Sequence, residues 1–341
     1  MKKKILSLLK ILLFISLGFA VIAWFWHNLS EEDKKQFWDS INKANYFWLV
    51  VSIIFGGLSH LSRSLRWGQI IEPFGYSPRK PNLFFAVMSM YFANMAVPRL
   101  GEVTRCATLH KYEKIPFEKS FGTVVAERAI DIIMLLVIMG ITYLLMSGHI
   151  DSILENFKNL QPTSNHIDDN APPGFWQQNI KWIIAGSMLI LFATLYLLRS
   201  HPFIGKIYAK FIQLLKGFWE GLRSAIRVKH KITFIIHTLF IWFMYFMMTY
   251  ICFLSLPETA NISYLAGLTI MVGGSIATII VPGGIGIFPV VVAAVLHIPL
   301  FGKIDPGIGL ALGWIIWASQ TLLIIMLGIF SVIALPIYNK S

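Results

Sequence analysis

N-M-A-V-P-R-L-G-E-V-T-R-C, residues 94–106, places Arg99, Glu102 and Arg105 around a proline and a glycine in one of the most apolar neighbourhoods of the chain. A charged side chain at the centre of a membrane helix costs at least about 2.5–3.5 kcal/mol. A Pro/Gly break also frees backbone groups that lipid cannot satisfy. The stretch therefore lies either outside a membrane or in a protein-lined site at membrane depth, and the rest of the chain decides between the two.

Apolar residues make up 56% of the 341 and charged residues 13%, against about 25% charged in an ordinary soluble domain. Runs long enough to cross a bilayer core, which takes about 20 apolar residues, occur at Ile5–Trp26, Tyr46–Leu61, Phe121–Met146, Ile180–Leu198, Ile232–Leu256 and Gly307–Ile337. Two further apolar stretches, near 83–110 and 262–298, are interrupted by Pro and Gly. The expectation is an all-α, polytopic integral membrane bundle, 1–341, forming a single domain, since no polar stretch is long enough to hold a core of its own. The first span is expected to be a retained anchor. Its apolar run exceeds a signal peptide's, and Trp24, Phe25 and Trp26 stand where small cleavage-site residues belong.

The net charge of +12, from 29 basic and 17 acidic residues, would point to nucleic acid in a soluble protein. Here its distribution points to a membrane instead. Lys2, Lys3, Lys4 and Lys10 open the first span, and Arg63, Arg66, Arg79 and Lys80 follow the second. Residues 199–231 carry eight Lys and Arg against Glu220, whereas 148–179 hold Asp151, Glu155, Asp168 and Asp169 with Lys158 as their single Lys or Arg. The positive-inside bias places the N-terminus, the 63–81 loop and the 199–231 segment in the cytoplasm. That segment alternates Tyr208, Phe211, Leu215, Trp219 and Leu222 with basic positions, and is expected to lie on anionic inner-leaflet lipids. Ser30 before Glu31-Glu32-Asp33 reads as the N-cap of a short helix in the first outer loop, and QPTSNHIDDNAPPG in the second outer loop is turn-rich.

If Tyr46–Leu61 returns to the cytoplasm and Phe121–Met146 leaves it, residues 82–112 must enter and leave by one face. They are expected to form a re-entrant hairpin with a descending half at Asn82–Val97, an apex at Pro98–Gly101 and an ascending half from Glu102 to Lys111. The same count makes 262–306 a second re-entrant hairpin, broken at V-P-G-G-I-G by Pro282, Gly283, Gly284 and Gly286. The alternative for each is a pair of kinked or short spanning helices. Two hairpins opening to opposite faces would form an inverted repeat with its broken helices meeting at the midplane.

Opposite charges for the first apex come from the next span, V-V-A-E-R-A-I-D. Glu127 and Asp131 are spaced i, i+4, and Arg128 and Asp131 i, i+3, so all three share one broad helix face. Arg99, Arg105 and Arg128 against Glu102, Glu127 and Asp131 give three charges of each sign, a neutral network. It fits two readings, a clamp pinning the hairpin to the bundle or a polar head-group site in which arginines take phosphate. Arg63 and Arg66 either extend this surface or snorkel to inner-leaflet phosphates. The glycines of the second hairpin serve either backbone amides exposed to a substrate or tight helix packing. Cys106 and Cys252 lack disulfide or metal spacing and read as packing residues. His60, His237 and His297 form no metal motif. No metal and no cofactor is expected.

R-S-L-R-W (63–67), N-x-x-x-P-R-x-G-E-x-x-R (94–105), E-R-x-x-D (127–131) and P-G-G-I-G (282–286) resemble the membrane domain of the lysylphosphatidylglycerol synthase and flippase family, over roughly residues 10–335. The resemblance implies a bundle with re-entrant segments that moves phospholipids or related polar lipids between leaflets. It places Asn94, Arg99, Glu102, Arg105, Glu127, Arg128, Asp131 and Arg66 at the head group, with Pro98, Gly101 and the 282–286 motif as backbone hinges. The aminoacyl-transferase domain that makes the lysyl-lipid does not follow the last span, so synthase activity is not expected. Phe288-Pro289 stands where many relatives carry an acidic residue.

The resulting expectation is a flippase-like, non-enzymatic protein of the plasma (inner) membrane with a cytoplasmic N-terminus. Its partner would be a membrane phospholipid or polyprenyl lipid, and not nucleic acid. Two other readings remain. One is a membrane glycosyltransferase using a polyprenyl-phosphate sugar, for which Glu31, Glu32 and Asp33 are the candidate carboxylates, although the chain contains no Asp-x-Asp. The other is a non-transporting scaffold for an envelope enzyme.

Overall fold

The computed structural model describes residues 16, 18, 20–97, 100–149 and 228–340. The expected span at 180–198, most of 5–26, the amphipathic segment up to 227, and the apex residues Pro98 and Arg99 lie outside the described residues. Every regular element among the described residues is helical. In chain order these are α1 (20–28), α2 (Glu31–Lys43), α3 (Phe47–Ile71), α4 (Lys80–Ala96), α5 (Leu100–Glu113), α6 (Phe117–Met146), α7 (Lys231–Tyr250), α8 (Tyr264–Ile280), α9 (Ile287–Leu296) and α10 (Pro306–Tyr338).

Helix α2 starts as its sequence requires. The Asp33 amide donates to Ser30 Oγ at 3.0 Å and the Ser30 amide to Asp33 Oδ2 at 3.3 Å, so the two residues satisfy each other's free donors. Phe37 then buries itself against Trp26 with ring centres 5.3 Å apart.

Among the described residues four helical segments, Phe47–Phe74, Phe117–Met146, Lys231–Ser255 and Pro306–Tyr338, are long and apolar enough to cross a membrane. Their outer faces are unsuited to water: Leu136 is 54% exposed, Leu144 69% and Ile232 77%. Patches of that kind belong against lipid.

The second span does not stop at Leu61. Helix α3 continues to Ile71 because its first proline is Pro73, and its last two turns bury Arg63, Arg66, Trp67, Ile70 and Ile71. The expected 63–81 loop is therefore helical over its first nine residues, 63–71.

The two Pro/Gly-broken stretches form pairs of short helices. Helices α4, α5, α8 and α9 have 17, 14, 17 and 10 residues. At 1.5 Å per residue none reaches the about 30 Å of a hydrocarbon core. Both breaks begin the same way. Val97 (φ −140°, ψ 117°) and Val281 (φ −116°, ψ 124°) are extended, as the residue before a proline must be.

Each pair organises a core of its own. Around α4 and α5 gather Leu83, Ala86, Val87, Met90, Cys106 and Leu109, with Trp67 and Ile71 of α3 and Val124 of α6. Around α8 and α9 gather Ala266, Ile270, Phe288, Val292 and Leu296, with Phe253 beyond α7 and Leu312, Ile315 and Ile316 of α10. Helix α10 touches α2, α3, α4 and α9 and so joins the two cores, and the turn Pro282–Gly284 rests on α4.

The glycines of the second break have two separate roles. Gly283, Gly284 and Gly286 take φ of +69°, +66° and +79°, which permits the chain reversal between α8 and α9. Gly274 and Gly273 instead make room. A Cβ on Gly274 would strike the Phe288 ring, and one on Gly273 would meet Val291 at 2.9 Å. At those two positions the geometry is that of tight helix packing.

Candidate functional site

Helix α3 presents Arg63 and Arg66 one turn apart, and α6 presents Glu127 and Asp131 one turn apart, so two facing pairs meet when the helices pack. Arg63 Nη1 donates to Glu127 Oε1 at 2.8 Å and to Asp131 Oδ2 at 2.7 Å. Arg66 Nη2 donates to Asp131 Oδ1 at 2.7 Å and reaches Glu127 Oε1 at 3.4 Å. The second oxygen of Glu127 accepts from Arg105 Nη2 on α5. Arg105 lies over Trp67, its guanidinium carbon 3.6 Å from the ring centre, and Trp67 Nε1 donates to Thr123 Oγ1 at 2.9 Å.

The cluster extends to two further helices. Arg63 Nε donates to the Tyr245 hydroxyl of α7 at 3.2 Å, and that hydroxyl lies 3.4 Å from Tyr91 Oη of α4. The His60 and Tyr91 rings meet at a tilt of 51° with centres 4.5 Å apart. At the outer edge Arg128 Nη2 donates to Glu102 Oε1 at 3.0 Å.

Burial divides these contacts by energy. The side chains of Arg63, Arg66, Arg105 and Glu127 are no more than 3% exposed and that of Asp131 is 13% exposed. Removing one member of such a buried set strands its partners at a cost of about 3–5 kcal/mol. Arg128 and Glu102 are 38% and 23% exposed and share one ion-pair contact, an arrangement whose breaking costs about 1 kcal/mol or less.

These contacts correct two sequence expectations. Arg63 and Arg66 do not snorkel. They are buried, and they are the principal partners of Glu127 and Asp131. Nor is the network three against three among the described residues: Arg63, Arg66, Arg105 and Arg128 face Glu102, Glu127 and Asp131, four positive charges against three negative. The apolar run ends at Leu61, which by sequence leaves Arg63 outside the span, whereas the helix itself continues to Ile71 and carries Arg63 into the centre of the cluster. A usable signal was present, since no proline interrupts 47–72 and Arg63 with Arg66 has the i, i+3 spacing that complements Glu127 and Asp131. Arg99, with Pro98, lies outside the described residues.

Asn94 spans the first break. Its Oδ1 accepts from the Gly101 amide at 2.7 Å, closing a donor at the start of α5. Gly101 is helical rather than left-handed, and its missing side chain allows close approach, because a Cβ there would fall on the Met90 carbonyl oxygen. Asn94→Ala is expected to lower stability by about 1 kcal/mol, read as an earlier thermal unfolding in detergent, with Asn94→Asp retaining most of it. In the second break the Trp317 indole donates to the Gly283 carbonyl at 2.8 Å.

The remaining candidates are accounted for by local contacts. His237 Nδ1 meets Ser62 Oγ at 2.8 Å, tying α7 to α3, and His297 Nδ1 meets the Ile304 carbonyl at 3.1 Å. Cys106 and Cys252 are buried and free. In the first loop, Glu31 pairs with Lys34 at 2.7 Å and Asp33 completes the capping box.

Compared with known proteins, residues 7–328 match the family model of the lysylphosphatidylglycerol synthase TM region. A UPF0104 membrane protein of Methanocaldococcus jannaschii is 33% identical over 110 residues, which cover 31% of this chain and 33% of that relative. The match thus spans about a third of the relative's own length. No solved structure matches the chain.

Proposed function

The chain belongs to the family of the lysylphosphatidylglycerol synthase TM region, and from that premise we propose that this multi-pass membrane protein moves a phospholipid or related polar lipid between leaflets. The observation that carries the proposal is the cluster of four arginines and three carboxylates gathered from α3, α5 and α6, with Arg128 and Glu102 accessible at its edge. A clamp that only fixed helix register would need no surplus positive charge, whereas a site for phosphate does.

In this reading the pairs α4/α5 and α8/α9 are re-entrant hairpins of an inverted repeat, opening to opposite faces of the plasma membrane and working by alternating access. The N-terminus lies in the cytoplasm, and the basic segment 199–231 binds anionic inner-leaflet lipids. The protein performs no covalent chemistry. The contacts of Glu31 and Asp33 favour this over a glycosyltransferase, because both carboxylates serve the start of α2.

Reconstitution into vesicles carrying fluorescent phosphatidylglycerol tests the proposal. Label in the outer leaflet is bleached by a membrane-impermeant reductant, and the protected fraction should fall in proportion to protein content. Protection equal to that of protein-free vesicles, for phosphatidylglycerol, phosphatidylcholine and a polyprenyl phosphate alike, would overturn it.

A further inference from the structure

The charged cluster has a closed part and an open part. Both oxygens of Glu127 and both of Asp131 accept from Arg63, Arg66 or Arg105. Three cations over two carboxylates leave this inner part with one surplus positive charge, and Arg66 Nε and Arg105 Nε are buried there without a hydrogen-bond partner.

Arg128 is placed differently. Among the described residues its polar contacts are Glu102 Oε1 at 3.0 Å and the Met90 sulfur at 3.6 Å. Glu102 brings a second oxygen, Oε2, that is buried without a hydrogen-bond partner, so the carboxylate is held through one oxygen and poorly satisfied at the other. The pair is the exchangeable element of the cluster.

Its surroundings are those of an amphiphile. Ile132 and Leu136 follow Arg128 at i+4 and i+8 on the same stripe of α6, 50% and 54% exposed. Leu100 and Val103, each 44% exposed, flank Glu102 on α5. A guanidinium at the head of an apolar stripe fits an acidic head group whose chains run along α6.

We propose that Arg128 receives the phosphodiester of an amine-free lipid head group, and that Glu102 is its resident competitor, occupying Arg128 until lipid displaces it. A single phosphodiester charge brings the described cluster from four against three to four against four. A zwitterionic head group leaves the surplus in place and sets an ammonium among arginines.

This deepens the lipid-site reading above and is tested by binding rather than by transport. The full chain in neutral detergent is titrated calorimetrically with dihexanoyl phosphatidylglycerol, dihexanoyl phosphatidylcholine and deacylated glycerophosphoglycerol. Wild type should bind the phosphatidylglycerol about tenfold or more tighter than either other probe. Glu102→Gln should tighten phosphatidylglycerol binding about three- to tenfold and phosphatidylcholine binding by less than that. Arg128→Gln should weaken it at least about tenfold, with Arg128→Lys intermediate.

Weaker phosphatidylglycerol binding in Glu102→Gln would overturn the competitor role, and that variant decides the matter even if Arg128→Gln does not fold. Equal affinity for phosphatidylcholine, or for the deacylated probe, would overturn the ligand class. Phosphatidylglycerol binding that behaves as expected without movement across vesicles would defeat the transport reading alone. Movement without the Glu102→Gln gain would defeat the present one alone.

Discussion

Glu127→Gln is expected to remove about 3–5 kcal/mol of stability, the largest loss from any single polar substitution in the cluster. Glu127 is 1% exposed and accepts from Arg63, Arg66 and Arg105. Glutamine keeps its shape but removes the charge. Arg63 and Arg66 then share Asp131, Arg105 loses its carboxylate partner, and the side-chain amide brings donors to a place already crowded with them. Since folded proteins hold only about 5–15 kcal/mol in total, the variant should unfold at markedly lower denaturant or temperature and accumulate less in membranes. Glu102→Gln is the matched comparison, losing about 1 kcal/mol or less because its pair is partly exposed. Equal losses in the two variants would mean that the inner and outer contacts do not differ as their burial indicates.

Gly101→Val should be nearly as damaging for a steric reason. A Cβ at this position falls on the Met90 carbonyl oxygen and within 2.7 Å of the Asn94 amide group. The obstacle includes backbone, so no rotamer change relieves it, and α4 and α5 must separate. Overpacking alone costs about 1–3 kcal/mol, and the separation also breaks the Asn94 bond to the Gly101 amide. It further displaces Glu102 and Arg105, which follow within the next turn. Gly140→Ala is the control, because nothing lies within 4 Å of its Cβ and a helical alanine is favoured over glycine by about 1 kcal/mol. Thermal unfolding of both variants in detergent should show a loss for the first and no loss for the second. Unchanged stability in Gly101→Val would mean that the α4–α5 approach is looser than described.

Much of this architecture could be read directly from the chain. Apolar runs mark the spans, Val97-Pro98 and Val281-Pro282 mark the two breaks, and Ser30 with Asp33 marks the start of α2. These features are local, fixed by residue type and by the conformation of residues a few places away. The i, i+4 spacing of Glu127 and Asp131 similarly puts both carboxylates on one face of a helix without reference to any other helix.

Which arginines those carboxylates hold was decided only by tertiary packing. Helical spacing gives the face of a residue but not the helix that lies against it, and that depends on crossing angle, rotation and the small side chains that let backbones approach. Because α3 runs on to Ile71, Arg63 and Arg66 arrive opposite Glu127 and Asp131, and the balance among the described residues becomes four against three. For the same reason the glycines at 273 and 274 turned out to receive Val291 and Phe288. Residue order alone puts charges among apolar helices and sets where the chain breaks. The packing of α3, α5 and α6 determined that most of those charges neutralise one another in a closed core while Arg128 and Glu102 remain accessible, since burial is a property of neighbours that adjacency in the chain does not specify.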